Sequence, residues 1–274
     1  MNFDFSESEV RFLDDFKGKL DQFAGKRDLE INDTDMATRH FREAMALLAE
    51  TGYLALDLDQ VTKEAGANPC LMAGMEILAA ASQSLFLQIE MSARLFGRIL
   101  SRWGKGDLAE TYLLPLKKGK LLGAVALSEK TMNVENDPLE TIGTENGHQV
   151  VINGSKQYVV NGPIADWIMV AGKFQDAPAL FLVKNGTKGM KKTERLQTLG
   201  YDGAQICHMH FDNCLIPYDQ VIIPHKSDDV LTILRCWENQ ILIAACLGMM
   251  KSSFETAKAY ANTHRSGGKP IVAY

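Results

Sequence analysis

Apolar and polar positions divide the chain into three stretches with different periods. Near the start, Phe12, Phe16, Leu20 and Phe23 recur every three to four residues. That spacing puts them on one face of a helix. Ser6 and Glu9 precede the run in the S-x-x-E pattern of a capping box, where each side chain satisfies the other residue's free N–H. A second helix is expected from about Asp33, with Phe41, Met45, Leu48 and Ala49 on its apolar face and Gly52 as its stop. Residues 57–69 contain Gly and Pro and read as loop. The mostly apolar run that follows predicts one long helix over 71–103, buried on several sides. A short helix is expected over 107–116.

The period changes near Gly119. LLGAVALSE, HQVVING, KQYVV, WIMVAG, ALFLV, QICHMHF and QVIIP are short β-rich runs separated by turn residues, and several alternate apolar with polar. No helical pattern intervenes over 121–224, which favours an antiparallel sandwich or barrel over a βαβ arrangement. In NGSKQYVVNG, residues 153–162, two Asn-Gly pairs read as turns around a short strand of Gln157, Tyr158, Val159 and Val160. Helical spacing returns at about Ser227. Leu231, Leu234, Trp237, Ile241, Ala244, Ala245, Gly248, Phe254 and Ala257 keep an apolar stripe down to Tyr260. The expected architecture is multi-domain α+β. It comprises an N-terminal all-α domain over 1–118, a small antiparallel β sandwich or barrel over 119–225, and the beginning of a C-terminal helical domain over 226–274. A single long helix after a β domain must dock on the first helical domain or take partner helices from elsewhere.

Composition narrows the classes of function. The chain has 274 residues, an ordinary apolar fraction of 46% and a net charge of −5. That balance argues against non-specific nucleic-acid binding, which needs a basic footprint. Cys70, Cys207, Cys214, Cys236 and Cys246 are odd in number and form no Cys-x-x-Cys pair, so a reducing, cytoplasmic setting is expected rather than a disulfide framework or a zinc site. The acidic start, MNFDFSESEV, has no apolar core of a signal peptide. The longest apolar stretch, 71–87, is shorter than a typical membrane span and contains Glu76, Ser82, Gln83 and Ser84, so a buried helix is expected there and no membrane association. His208 and His210 alternate on one strand and share a face, but without a third ligand they read as ordinary strand histidines rather than a metal site.

The order of local strings carries a family resemblance along nearly the whole chain. LLAETGYLAL, WGKGDLAETYLLPLKKGKLLGAVALSE, INGSKQYVVNGPIADWIMVAG, LGYDGAQICHMHFDNCLIP and YANTHRSGGKP fall, in this order and spacing, where the acyl-CoA dehydrogenase family of flavoenzymes has similar strings. The chain resembles that family up to its last residue. The family's remaining C-terminal helices lie beyond the resemblance, so a truncated member is one expectation. The resemblance implies a chemistry in which a carboxylate removes the α-proton of an acyl thioester and a hydride passes to FAD. It implies fatty-acid metabolism, an acyl-CoA substrate and an oligomer of family-like subunits.

Residue by residue, the resemblance nominates a site. Leu127, Ser128 and Glu129 match the strand end that grips the flavin ring; Lys130 stands for the family's Pro, and Val134 falls near its phosphate-contacting Ser. Tyr158 stands for a Trp that packs on the flavin, and Val160 for a Thr whose hydroxyl bonds near N5. The family's phosphate-reaching Arg aligns with His264, with Arg265 one place later and Gly267 at a family Phe. Glu238 falls at the position where a minority of the family carries the catalytic base, with Asn239 in place of the neighbouring Arg. These departures leave two readings open. One is an FAD-dependent acyl-CoA dehydrogenase with Glu238 as base. The other is a catalytically degenerate partner or binding subunit with a weak or empty flavin site.

Overall fold

The computed structural model describes residues 4–58, 68–131 and 139–273. Helix α1, Glu7–Ala24, starts at the expected capping box: the Ser6 N–H donates to Glu9 Oε2 at 2.8 Å, and the Glu9 N–H donates to Ser6 Oγ at 3.3 Å. Helix α2, Thr34–Glu50, is capped by Asp33 and buries Phe41, Met45 and Leu48. The chain leaves it through Gly52 at φ +82° into a single 3₁₀ turn, Tyr53–Ala55.

The single long helix expected over 71–103 is broken. Helix α3, Pro69–Ala81, ends at Ser82, whose backbone is extended, and α4, Gln83–Glu90, begins there with the Ser82 hydroxyl accepting from the Leu85 N–H. The apolar run hides the break because Ser82 is itself buried and both helices bury the same kind of surface. Helix α4 continues through a π-helical segment, Met91–Phe96, into α5, Gly97–Trp103. Helix α6 spans Asp107–Lys117. The expected loop at 57–69 lies largely outside the described residues, and Pro69 opens α3 as a first-turn proline.

The sheet is β1 (Gly123–Ala126), β2 (Ile142–Asn146), β3 (Gln149–Val160), β4 (Trp167–Phe174), β5 (Ala177–Lys184), β6 (Met190–Lys192), β7 (Ile206–Pro217) and β8 (Val221–Ile222). Its order is β6-β7-β3-β2-β4-β5-β8, with β1 also on β4. Pairing is antiparallel except that β1 and β2 run parallel to β4. Alternation gives the sheet two apolar faces. Ile168, Val170, Phe181 and Val183 point into the sheet's own core with Ile152 and Met209, whereas Met169, Ala171, Leu180 and Leu182 join the helical core. Middle and helical domains therefore share one continuous apolar contact.

One expected turn is corrected. Asn153-Gly154 lies inside β3, where the register against β7 shifts between Ile152 and Gly154. The extra residue is on β7, where Asp212 and Asn213 face Asn153 and Asn213 takes φ +51°. The β2–β3 hairpin instead closes at Gly147 and His148, with Gly147 at φ +62°. The second expected turn forms at Asn161, φ +63°.

Helix α7, Val230–Thr263, has 34 residues and two unlike halves. Its first half buries Leu234, Trp237, Ile241, Ala244, Ala245 and Gly248. A side chain at Gly248 would collide with Ala79 and the backbone of Ala80, so glycine sets the close approach to α3. Beyond Gly248 the apolar stripe faces outward: Met250 is 68% and Phe254 64% exposed. By length and composition this helix could also cross a membrane, and a third of its most apolar window is packed inside the fold. A two-stranded hairpin follows, β9 (Arg265–Ser266) against β10 (Lys269–Pro270).

Candidate functional site

The end of β1 and the second half of β3 form the most strongly built polar junction in the sheet. Lys156 falls on the inward phase of β3, in step with Val150 and Ile152, and its side chain is fully buried. An ammonium there needs a buried anion and acceptors. Its Nζ donates to Glu129 Oε1 at 2.7 Å and to the Leu127 carbonyl at 2.9 Å. Glu129 also accepts the Glu140 N–H at 2.6 Å and the Thr141 N–H at 3.0 Å. Burial pushes the Lys156 ammonium down to about 8, against the opposing pull of Glu129. Burial works to raise the Glu129 carboxyl, but Lys156 and the two amides outweigh it and hold the group below its ordinary value. Both partners are thus charged at neutral pH.

This pair fastens the candidate residues together. The Ser128 carbonyl accepts the Gln157 N–H at 2.8 Å, so Leu127 and Ser128 lie against Gln157 and Tyr158. With both carbonyls engaged inside the fold, the Ser128 hydroxyl and main-chain N–H groups are the donors this turn can offer. Tyr158 adopts φ +53° and leaves its side chain 51% exposed beside the turn. An aromatic residue in the left-handed region is a genuine outlier and points to a functional constraint. Val160 is half-buried and packs on the helical core. Next to it, Asn161 donates from Nδ2 to the Gln88 carbonyl of α4 at 2.7 Å, and its N–H donates to the Gln205 carbonyl at 2.7 Å. The junction is therefore pinned both to the sheet and to the helical domain.

Glu238 and Arg265 lie elsewhere, both contributed by α7 and its C-terminal extension. Glu238 is partly buried between Trp237 and Asn239. It has no hydrogen bond or ion pair among the described residues, and burial alone raises its carboxyl above the ordinary value. The helix around it is held by Arg98, which donates to Gln240 Oε1 at 2.8 Å and pairs with Asp57 at 2.6 Å. The Arg98 guanidinium also lies 5.9 Å from the centre of the Trp237 ring. Arg265 sits past the end of α7, about 40 Å along the axis from Glu238 at a rise of ~1.5 Å per residue. Its side chain is exposed and donates to the Gly268 carbonyl at 3.0 Å. His264 stacks on Tyr260, with ring centroids 4.8 Å apart. One chain thus gathers Leu127, Ser128, Tyr158 and Val160 at the junction, and carries Arg265 on the segment past the end of α7.

Two groups of polar residues were not singled out from sequence. Lys156 could have been found as a lysine on the core phase of an alternating strand. Glu90 and Arg94, four apart in an apolar run, form a fully buried pair 3.4 Å apart. Tyr53 donates to Glu90 at 2.7 Å, and Arg94 donates to the Leu54 carbonyl at 3.1 Å. Burial raises both the Glu90 carboxyl and the Tyr53 phenol. Among the described residues, no three His, Cys, Asp or Glu side chains converge on a metal position. His210 instead bonds Ser155, and His208 meets Tyr158.

Comparison with known proteins fits this architecture. Residues 124–214 match the family model of the acyl-CoA dehydrogenase middle domain. The chain is 28% identical over 203 residues to the mitochondrial isovaleryl-CoA dehydrogenase of Oryza sativa subsp. japonica, covering 72% of this chain and 50% of that protein. The chain therefore spans about half the length of the curated relatives it matches. The fold is that of the butyryl-CoA dehydrogenase of Megasphaera elsdenii, with a TM-score of 0.83 at 20% identity over 100% of this chain and 74% of the other. A glutaryl-CoA dehydrogenase from Mycobacterium smegmatis, solved in complex with FADH2, superposes with a TM-score of 0.79 at 21% identity, covering 98% and 69%. Residues 124–214 thus match the middle domain of the acyl-CoA dehydrogenase family, and the chain as a whole is similar to members of that family.

Proposed function

We propose that the chain is an acyl-CoA dehydrogenase-like flavoprotein that acts on an acyl thioester, with FAD seated against the junction of β1 and β3. The observation that carries this reading is the fastening of Leu127, Ser128 and Tyr158 into one edge by the buried Glu129–Lys156 pair. The residues present fit a flat ring in part. Tyr158 offers a half-exposed aromatic surface, and Ser128 offers a hydroxyl. Val160 offers no donor, so the ring would bind with one hydrogen bond fewer than a threonine there would supply.

FAD, when bound, would supply the hydride acceptor. The chain's own contribution is the proton. Glu238 would take the α-proton of the thioester onto its carboxylate, and burial without a cation makes that carboxylate a stronger base. Activity should therefore rise with pH through an apparent pKa above the ordinary carboxyl value of 4.5. Arg265, exposed past the end of α7, would meet the nucleotide phosphates of a neighbouring subunit, as the family resemblance implies. Oligomerisation with family-like subunits, of the same or another sequence, belongs to this proposal.

A second reading is favoured by Val160 and by Asn239 beside Glu238: a subunit that keeps the fold and the platform but has lost turnover. Glu238→Gln, assayed with a panel of acyl-CoA thioesters and an artificial electron acceptor, separates the two. Loss of about 10²-fold or more in turnover supports Glu238 as base. Undiminished turnover removes it, and no turnover in the parent chain loaded with FAD favours the second reading.

A further inference from the structure

We infer that His208 is a positioning residue whose neutral ring holds Tyr158 in the left-handed bulge that presents the tyrosine at the sheet edge. The importance of that role for FAD rests on the flavin reading above, but the role itself does not. Lys156 is opposite Met209 and Val159 is opposite Cys207, so Gln157 and Tyr158 together face His208 alone. The extra residue breaks the ladder. His208 uses its own backbone toward the other neighbour: its N–H donates to Thr193 Oγ1 at 3.0 Å, and its carbonyl accepts the Thr193 N–H at 3.0 Å. The Tyr158 N–H is thereby left without a ladder carbonyl, and His208 Nδ1 accepts it at 3.2 Å. The two rings meet edge to face, 4.9 Å apart at 80°.

This geometry specifies a protonation state. An Nδ1 that accepts carries no proton, so the ring is neutral with its hydrogen on Nε2. Imidazolium formation would remove the acceptor that the Tyr158 N–H has among the described residues and release its backbone toward ordinary strand geometry. The groups facing His208 are Lys191 and Lys192 of β6, His210 along β7 and Tyr158 of β3, around a groove of about 340 Å³. His210 is occupied by Ser155 at 2.8 Å and does not compete for the Tyr158 amide, and Lys192 donates to the Pro163 carbonyl and Asn185 rather than to His208 Nδ1.

The test uses the full chain with ¹⁵N-labelled tyrosine and no FAD. The Tyr158 amide signal, assigned by Tyr158→Phe, is followed as the pH is lowered from about 8 to about 5. It should titrate in the parent chain, and the titration should vanish in His208→Ala. In His208→Asn, an amide oxygen can stand where Nδ1 was, so the signal should stay near its neutral-pH position throughout. FAD affinity should fall about three- to tenfold in His208→Ala and recover in His208→Asn, as one hydrogen bond would allow. A Tyr158 amide that is indifferent to both pH and His208→Ala overturns the inference. Unchanged FAD affinity in His208→Ala, with the Tyr158 amide displaced, would leave the role of His208 standing and overturn its importance for FAD. Titration of Tyr158 with no FAD binding by the parent chain would sustain the role of His208 and defeat the flavin reading alone.

Discussion

The junction of β1 and β3 and the helix α7 both carry candidate residues, but the fold treats them differently. At the junction, every group that shapes the edge is held from at least two sides: Lys156 by a carboxylate and a carbonyl, Glu129 by a cation and two amides. Along α7, the anchoring reaches Lys251, through Arg98 against Gln240, Gly248 against Ala79 and Lys251 against Glu76 at 2.7 Å. The half leading to Arg265 presents Met250 and Phe254 to solvent. A rigid ring needs a surface that does not rearrange, which the junction supplies by itself. The distal half of α7 carries Arg265 out past the packed core, as the proposed contact with a neighbouring subunit would require.

Breaking the junction should cost the most. Lys156→Met leaves Glu129 with no cation and should destabilise the chain by about 3–5 kcal/mol in urea unfolding. Adding Glu129→Gln should recover a large part, because the neutral amide oxygen still accepts a backbone N–H. A loss under about 1 kcal/mol for Lys156→Met would show that the pair is not a fastening. The same pair sets an acid limit. Glu129 titrates below its ordinary 4.5 in the folded chain, so its contribution is complete above 4.5 and is lost as pH falls through the folded value. Unfolding midpoints should drop in that window, and the drop should shrink in the double variant.

The two halves of α7 can be separated next. Gly248→Val forces α3 and α7 apart and should cost about 1–3 kcal/mol. Phe254→Ser, on the outward stripe, should stay within about 0.5 kcal/mol in a monomer. Equal effects would mean that the distal half is packed in solution. A smaller change is expected from restoring a donor at the junction. Val160→Thr should tighten FAD by about 1 kcal/mol, or roughly fivefold, with little change in stability. No change in FAD affinity would place the ring edge away from Val160.

What the sequence made legible follows the range of each interaction. The capping box of Ser6 and Glu9 and the exit at Gly52 depend on neighbours within a few residues, and both stand where the spacing puts them. The shift from helical to strand periodicity placed the sheet, because alternation is a local consequence of a half-buried surface. The break at Ser82 was hidden by an apolar run that continues across it. Asn153-Gly154, which lies opposite a bulge of β7, reads as a turn because the dipeptide reports tolerance of unusual backbone, not which backbone forms. Leu127, Ser128, Tyr158 and Val160 were nominated by resemblance, and their convergence depends on Lys156 reaching back to Glu129, a pairing no local rule supplies. The unlike halves of α7 were equally hidden, since its stripe continues to Phe254 while its packing ends near Gly248.

The central claim is that the junction seats a flavin, and equilibrium titration of FAD into the purified chain tests it most directly. Flavin absorbance should survive desalting, and Tyr158→Ala should weaken binding without lowering the unfolding free energy by more than about 1 kcal/mol, as expected for an exposed side chain. A parent chain that stays colourless after FAD is added and removed, or a Tyr158→Ala variant that binds FAD as tightly as the parent, would contradict the account.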